Sequence, residues 1–151
     1  MDNREFNGIM TQAIASETEA YEFYRDVAGK VTDPAVKQLF TEFASEEYEH
    51  KRKLDEIKAE DVQDFHFSET QDFKVSETVG LPRLSANMKP VDAIALAMKK
   101  EEEAVKTYSQ LAAFSSDPEK QKIYSELADM EQEHKARMEY LYTNTAFPEV
   151  W

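Results

Sequence analysis

Small and apolar residues return at three- and four-residue steps in four stretches of the chain, the period of a helix with one buried face. The first stretch runs from about Phe6 to Val31 through Met10, Ala13, Ala20, Tyr24 and Val27. The second starts near Pro34 and carries Val36, Leu39 or Phe40, Phe43 and Leu54 to about Ile57. The third opens at Pro90 with Ile94, Ala97, Ala104, Tyr108 and Leu111 or Ala112. The fourth follows Pro118 with Ile123 or Tyr124, Leu127, Met138 and Leu141. Asp33-Pro34 and Asp117-Pro118 each place a capping carboxylate before a residue whose fixed φ suits the first helical turn, so each pair predicts a helix start.

Between residues 61 and 89 the period is lost among Gly80, Pro82 and two serine clusters. So long a connection within one domain is expected when helix 3 runs parallel to helix 2, because the chain must then travel the length of the bundle. The predicted fold is all-α, a four-helix bundle in one domain. It comprises a helical hairpin over 5–60, a crossover over 61–89, a second hairpin over 90–143 and an apolar tail over 144–151 suited to docking on the bundle or on another subunit. Phe65, Phe67 and Phe73 are expected to pin the crossover, and His66 is read as a loop histidine.

Four glutamates interrupt the apolar stripes: Glu17, Glu47, Glu101 and Glu131. His50 and His134 follow the second and fourth by three positions, which puts them on the same helix faces. Glu42, Glu46 and Glu49 fall on other faces and are read as solvated. A constant offset of 84 positions relates Glu17 to Glu101, Tyr24 to Tyr108, Asp33-Pro34 to Asp117-Pro118, Glu47 to Glu131 and His50 to His134. Ala20/Ala104, Ala28/Ala112, Glu42/Glu126, Ala44/Ala128 and Lys51/Lys135 keep the same register. A gapless match of this kind marks a duplicated helical hairpin. A pseudo-twofold axis between the two copies would gather four glutamates and two histidines at the middle of the bundle.

Composition narrows the function classes. The chain has 151 residues, 32% of them charged, with a formal net charge of -13. That charge argues against nucleic acid and anionic membranes as partners, since both select clustered Lys and Arg. No run approaches the roughly 18 apolar residues of a spanning helix, and the N-terminus lacks an apolar signal core, so a cytoplasmic protein is expected. The absence of cysteine excludes disulfides, Cys₄ metal centres and thiol chemistry within the chain.

Burying one unpaired carboxylate costs several kcal/mol, and four together would repel one another. Cations make the arrangement tolerable. Four carboxylates with two imidazoles and no thiolate suit iron(II) or manganese, with zinc as a substitute. Tyr24 and Tyr108 share faces with Glu17 and Glu101, and each hydroxyl is placed to hydrogen-bond a carboxylate on a neighbouring helix.

One glutamate on each of two helices with Glu-x-x-His on each of the other two is the ligand pattern of ferritin-like di-iron carboxylate proteins. Through Glu17-x₆-Tyr24, Glu47-x-x-His50, Glu101-x₆-Tyr108 and Glu131-x-x-His134 the chain resembles the rubrerythrin branch of that superfamily. The resemblance implies two irons, or manganese or a mixed pair, bridged by Glu47 and Glu131. Glu17 and Glu101 would be terminal ligands, and His50 and His134 would hold one metal each. It also implies reduction of hydrogen peroxide or dioxygen to water, with Tyr24 and Tyr108 as candidate catalytic tyrosines. A homodimer is the expected assembly, and the spacing is compatible with hairpins exchanged between two chains.

Two departures modify that expectation. Without a Cys₄ domain in the chain, electrons must come from an external donor such as a rubredoxin-like protein. Ala104 stands where rubrerythrins place an additional glutamate one turn after the helix-3 ligand, so their redox-linked ligand exchange is not implied. A bacterioferritin-like iron store or ferroxidase is the alternative. Tyr48 replaces the haem-binding methionine of those proteins, and the 17 residues after His134 are few for a fifth helix. A metal-free interaction module is the third reading.

Overall fold

Aspartates start two of the four helices. Asp33 Oδ1 accepts hydrogen bonds from the backbone N–H of Ala35 (2.8 Å) and Val36 (3.3 Å), and Asp117 Oδ1 accepts from Glu119 N–H at 3.0 Å. Each satisfies amides that a helix leaves open at its N-terminus. The computed structural model describes residues 3–65 and 81–144, with side chains over 4–59 and 81–143. Its helices are α1 (Asn3–Lys30), α2 (Pro34–Phe65), α3 (Pro90–Phe114) and α4 (Pro118–Asn144), and the described residues contain no strand.

The duplication extends to the turns within each hairpin. Lys37 Nζ donates to Ala28 O at 3.1 Å, and Gln121, at the equivalent position, donates through Nε2 to Ser115 O at 2.5 Å. Each ties the new helix to the end of the one before. α3 starts at Pro90 without a side-chain cap, leaving Asp92 in its first turn to face the helix dipole. α2 runs to Phe65, past the expected boundary at 60, because Lys58 to Asp64 contains no glycine, proline or capping signal to stop it.

α1 pairs with α2 and α3 with α4 as hairpins, and α1 also packs on α3. One apolar cluster joins the C-terminal half of α1 (Phe23, Tyr24, Val27), the N-terminal halves of α2 (Phe40, Phe43) and α3 (Ile94, Ala97), and the C-terminal end of α4 (Met138, Leu141). The other joins the N-terminal half of α1 (Met10), the C-terminal halves of α2 (Leu54, Ile57) and α3 (Leu111), and the N-terminal half of α4 (Leu127). These memberships make α2 and α3 parallel, as a long crossover requires. The returning part of that crossover docks on the first cluster: Leu84 and Ala86 are buried there, Leu84 N–H donates to Glu19 Oε1 at 2.7 Å, and Lys30 Nζ donates to Ala86 O at 2.9 Å. The phenylalanine side chains of the crossover, His66 and the tail over 145–151 lie outside the described residues.

Removing either cap should weaken its hairpin without touching the core. Asp33→Ala and Asp117→Ala are each expected to lower the free energy of unfolding by about 1 kcal/mol, read as a lower urea midpoint at unchanged slope.

Candidate metal centre

Between the two apolar clusters lies a polar layer drawn from the middle of every helix. Glu17 comes from α1, Glu47 and His50 from α2, Glu101 from α3, and Glu131 and His134 from α4; each is only 1–3% exposed. One chain brings all six together. Their ligand atoms form two overlapping quartets, Glu17/Glu47/His50/Glu131 and Glu47/Glu101/Glu131/His134, and within each quartet one atom per residue lies within 4.8 Å of the others. Glu47 and Glu131 belong to both sets.

The imidazoles point Nδ1 into the layer. His50 Nδ1 stands 2.7 Å from Glu131, 3.5 Å from Glu47 and 3.7 Å from Glu17. His134 Nδ1 stands 3.0 Å from Glu47 and 3.9 Å from Glu101. The two rings face each other, 6.1 Å apart and 16° from parallel. Outside the layer the histidines differ: His134 Nε2 is hydrogen-bonded to a Glu46 carboxylate oxygen, whereas His50 Nε2 meets Met130 Sδ at 3.3 Å.

Both tyrosines cross to the opposite hairpin. Tyr24 Oη donates to Glu101 Oε1 at 2.5 Å, with Met138 Sδ at 3.7 Å, and Tyr108 Oη donates to Glu17 Oε1. Each phenol fixes one oxygen of a carboxylate and leaves the other facing the layer. The Tyr24 ring is held among Phe23, Phe40 and Phe43, with centroids 5.3–5.8 Å away. Burial and the neighbouring carboxylates push both phenols well above their ordinary range, so they remain protonated.

In the metal-free protein, protons do the work that cations would do. Burial first, and then the neighbouring carboxylates, raise Glu47, Glu101 and Glu131 well above the usual carboxylate range. Burial acts in the same direction on Glu17, but His50 and hydrogen bonds from Glu47 and Tyr108 hold it below that range. Burial would lower His50, yet Glu131 and Glu17 lift it to about 10. A cation at either quartet would displace these protons.

The residues fit a pair of cations. Glu17 Oε2, Glu47 Oε1, Glu101 Oε2, Glu131 Oε1 and both Nδ1 atoms are buried and lack a properly directed hydrogen bond. They belong to the six residues that form the two quartets. A buried polar atom left in this way is costly unless something binds it, and carboxylate and imidazole donors without thiolate match iron or manganese.

Glu46 was misplaced by sequence reasoning. It is not simply solvated: its side chain is 33% exposed and its carboxylate reaches across to His134. Glu42 and Glu49 do lie toward solvent, paired with Arg137 and Arg52 respectively. Met130 was also missed. The signal for both lay in the repeat, since position 130 is the equivalent of 46 and carries a thioether instead of an acid.

The fold and site together define a ferritin-like four-helix bundle with a buried carboxylate and histidine centre between its hairpins. The chain belongs to the rubrerythrin family, whose family model matches residues 8–142. Membership implies a di-iron site, which the buried cluster could hold. Among solved structures the chain is similar to a hypothetical protein from Pyrococcus furiosus, at 28% identity and a TM-score of 0.72, over 91% of this chain and 87% of that one. It also shares its fold with a dodecameric thioferritin, the bacterioferritin-related protein from Bacteroides fragilis, at 21% identity and a TM-score of 0.73, over 95% of this chain and 88% of the other. No match was found among curated proteins. No helix among the described residues is long and apolar enough to cross a membrane.

The raised groups set the pH dependence of the metal-free protein. Glu47, Glu101 and Glu131 bind protons more tightly folded than unfolded, so their contribution is complete below about 4.5 and is lost as pH rises through their folded values. That of His50 is complete below 6.5 and is lost toward about 10. The metal-free protein should therefore show a falling Tm from pH 6 to pH 9. Added manganese(II) or iron(II) should flatten or reverse that slope in anaerobic thermal melts, because binding releases the same protons.

Proposed function

We propose that this chain is a di-iron oxidoreductase domain that reduces hydrogen peroxide, or dioxygen, to water with electrons from a donor outside these residues. The observation that carries this reading is the closed cage of six inward-facing ligand atoms with a protonated tyrosine behind each terminal glutamate. Glu47 and Glu131 would bridge the metals, with Glu17 and His50 completing one position and Glu101 and His134 the other. When bound, two iron(II) ions supply one electron each, the two electrons needed to split a peroxide bond.

The remaining requirements fall to the chain. The balance H₂O₂ + 2 e⁻ + 2 H⁺ → 2 H₂O calls for two protons. Tyr24 and Tyr108 hold one each at Oη, next to Glu101 and Glu17. The 1–3% exposure of the ligands excludes bulk water and favours a small neutral oxidant. Ala20 and Ala104 stand one turn after Glu17 and Glu101, where a larger side chain would crowd the ligands. With no cysteine in the chain, re-reduction calls on a separate donor such as a rubredoxin-like protein. We propose a cytoplasmic protein that assembles as a homodimer, a smaller assembly than the dodecamer of the thioferritin that shares its fold.

Iron uptake or storage is the second reading. It draws on the -13 net charge and on Glu46, a partly exposed carboxylate in contact with His134 of the cage. A metal-free interaction module is the third.

Anaerobic stopped-flow measurement tests the proposal. One equivalent of peroxide should oxidise both irons of the diferrous protein rapidly, and the Glu47→Ala/Glu131→Ala variant should lose this reaction. Oxidation no faster than in that variant sinks the peroxidase reading, and uptake far above two irons per chain replaces it with storage. Protein purified without chelator that contains neither iron nor manganese supports the metal-free reading. Tyr24→Phe with Tyr108→Phe should slow turnover by roughly 100-fold at unchanged iron content.

A further inference from the structure

We propose that Glu46 and Met130 make the two cation positions of the cage inequivalent, the position at His134 binding first and more tightly than the position at His50. The inference rests on the metal reading of the cage and extends it to two residues outside the ligand set.

The inner ring is symmetric. Each position has one terminal glutamate backed by a tyrosine, one histidine and a share of Glu47 and Glu131. The outer ring is not. Glu46 and Met130 occupy equivalent positions of the duplicated hairpins, and each faces the outer nitrogen of the histidine on the opposite hairpin. A carboxylate is a strong, charge-assisted acceptor: it holds the imidazole proton on Nε2, leaves the Nδ1 lone pair for a cation and raises its basicity. A thioether is a weak acceptor and does little of this.

Packing reinforces the difference. The His134 ring lies against Phe43, with centroids 4.5 Å apart, and Arg137 covers the same phenylalanine at 5.1 Å. The position equivalent to Phe43 is Leu127, so the duplicate hairpin has no matching aromatic plate. Arg137 pairs with Glu42 at 3.2 Å, while the Glu46 carboxylate engages His134. The His134 ring is thus held both by its edge and by its face.

Cobalt(II) is a suitable probe, because its visible absorption reports ligation directly and needs no turnover. Anaerobic titration of the metal-free protein, followed by absorption and calorimetry, should resolve two steps per chain, the first roughly 10- to 100-fold tighter. An anomalous-scattering map at one equivalent should place the cobalt beside His134. Glu46→Gln should bring the first step toward the second. Met130→Glu should tighten the second, with Met130→Gln as the neutral variant if the charge impairs folding. Glu46→Met combined with Met130→Glu should move the first cobalt to His50.

Two equal steps in the unaltered protein overturn the inequivalence, and a gap unchanged in Glu46→Gln overturns its assignment to Glu46; either result leaves the metal centre intact. Failure to bind cobalt at all overturns both.

Discussion

Everything in this bundle is arranged around the cost of placing four carboxyl groups and two imidazoles in the middle of an apolar core. They split that core into two clusters, one at each end, and every helix must cross the divide. An uncompensated layer of this kind would oppose folding by several kcal/mol per charge. The protein meets the cost by sharing protons: three of the glutamates are driven toward the neutral form, while His50 and Glu17 settle as an ion pair. Sharing protons in this way offsets part of the repulsion while leaving the ligand atoms facing one another.

The tyrosines show why a bundle suits this purpose. Each hairpin supplies ligands to the layer and also supports the ligands of its partner, since Tyr24 of the first hairpin holds Glu101 of the second and Tyr108 of the second holds Glu17 of the first. The polar layer therefore joins the hairpins where the apolar clusters cannot. A duplicated unit achieves this with a single sequence solution used twice, because a contact made in one direction is repeated in the other by the pseudo-twofold axis.

The parts legible in the sequence were those governed by spacing along one helix. Asp33-Pro34 and Asp117-Pro118 announced helix starts because capping is local. The six cage residues stood out because charged groups broke apolar stripes at matched intervals. What spacing could not reveal was reach across helices. Glu46 sits on the flank of α2, where an acid ordinarily faces water, and only the approach of α4 brings it to His134. The end of α2 was misjudged for a different reason: no residue near 60 forbids a helix, so its extent depends on packing and not on a stop signal.

Symmetry and its breaking then have separate physical origins. The inner ring resists divergence because each ligand is enclosed by the others; changing one carboxylate or imidazole would leave its neighbours buried without compensation. The outer ring is under weaker constraint. Replacing an acid by a thioether at position 130 removes one hydrogen-bond acceptor from a partly exposed site and leaves the ligand set untouched. Chemical difference between the halves is therefore tolerated behind the histidines without dismantling the cage, and Glu46 with Met130, like Phe43 with Leu127, is one pair of equivalent positions at which the two hairpins differ.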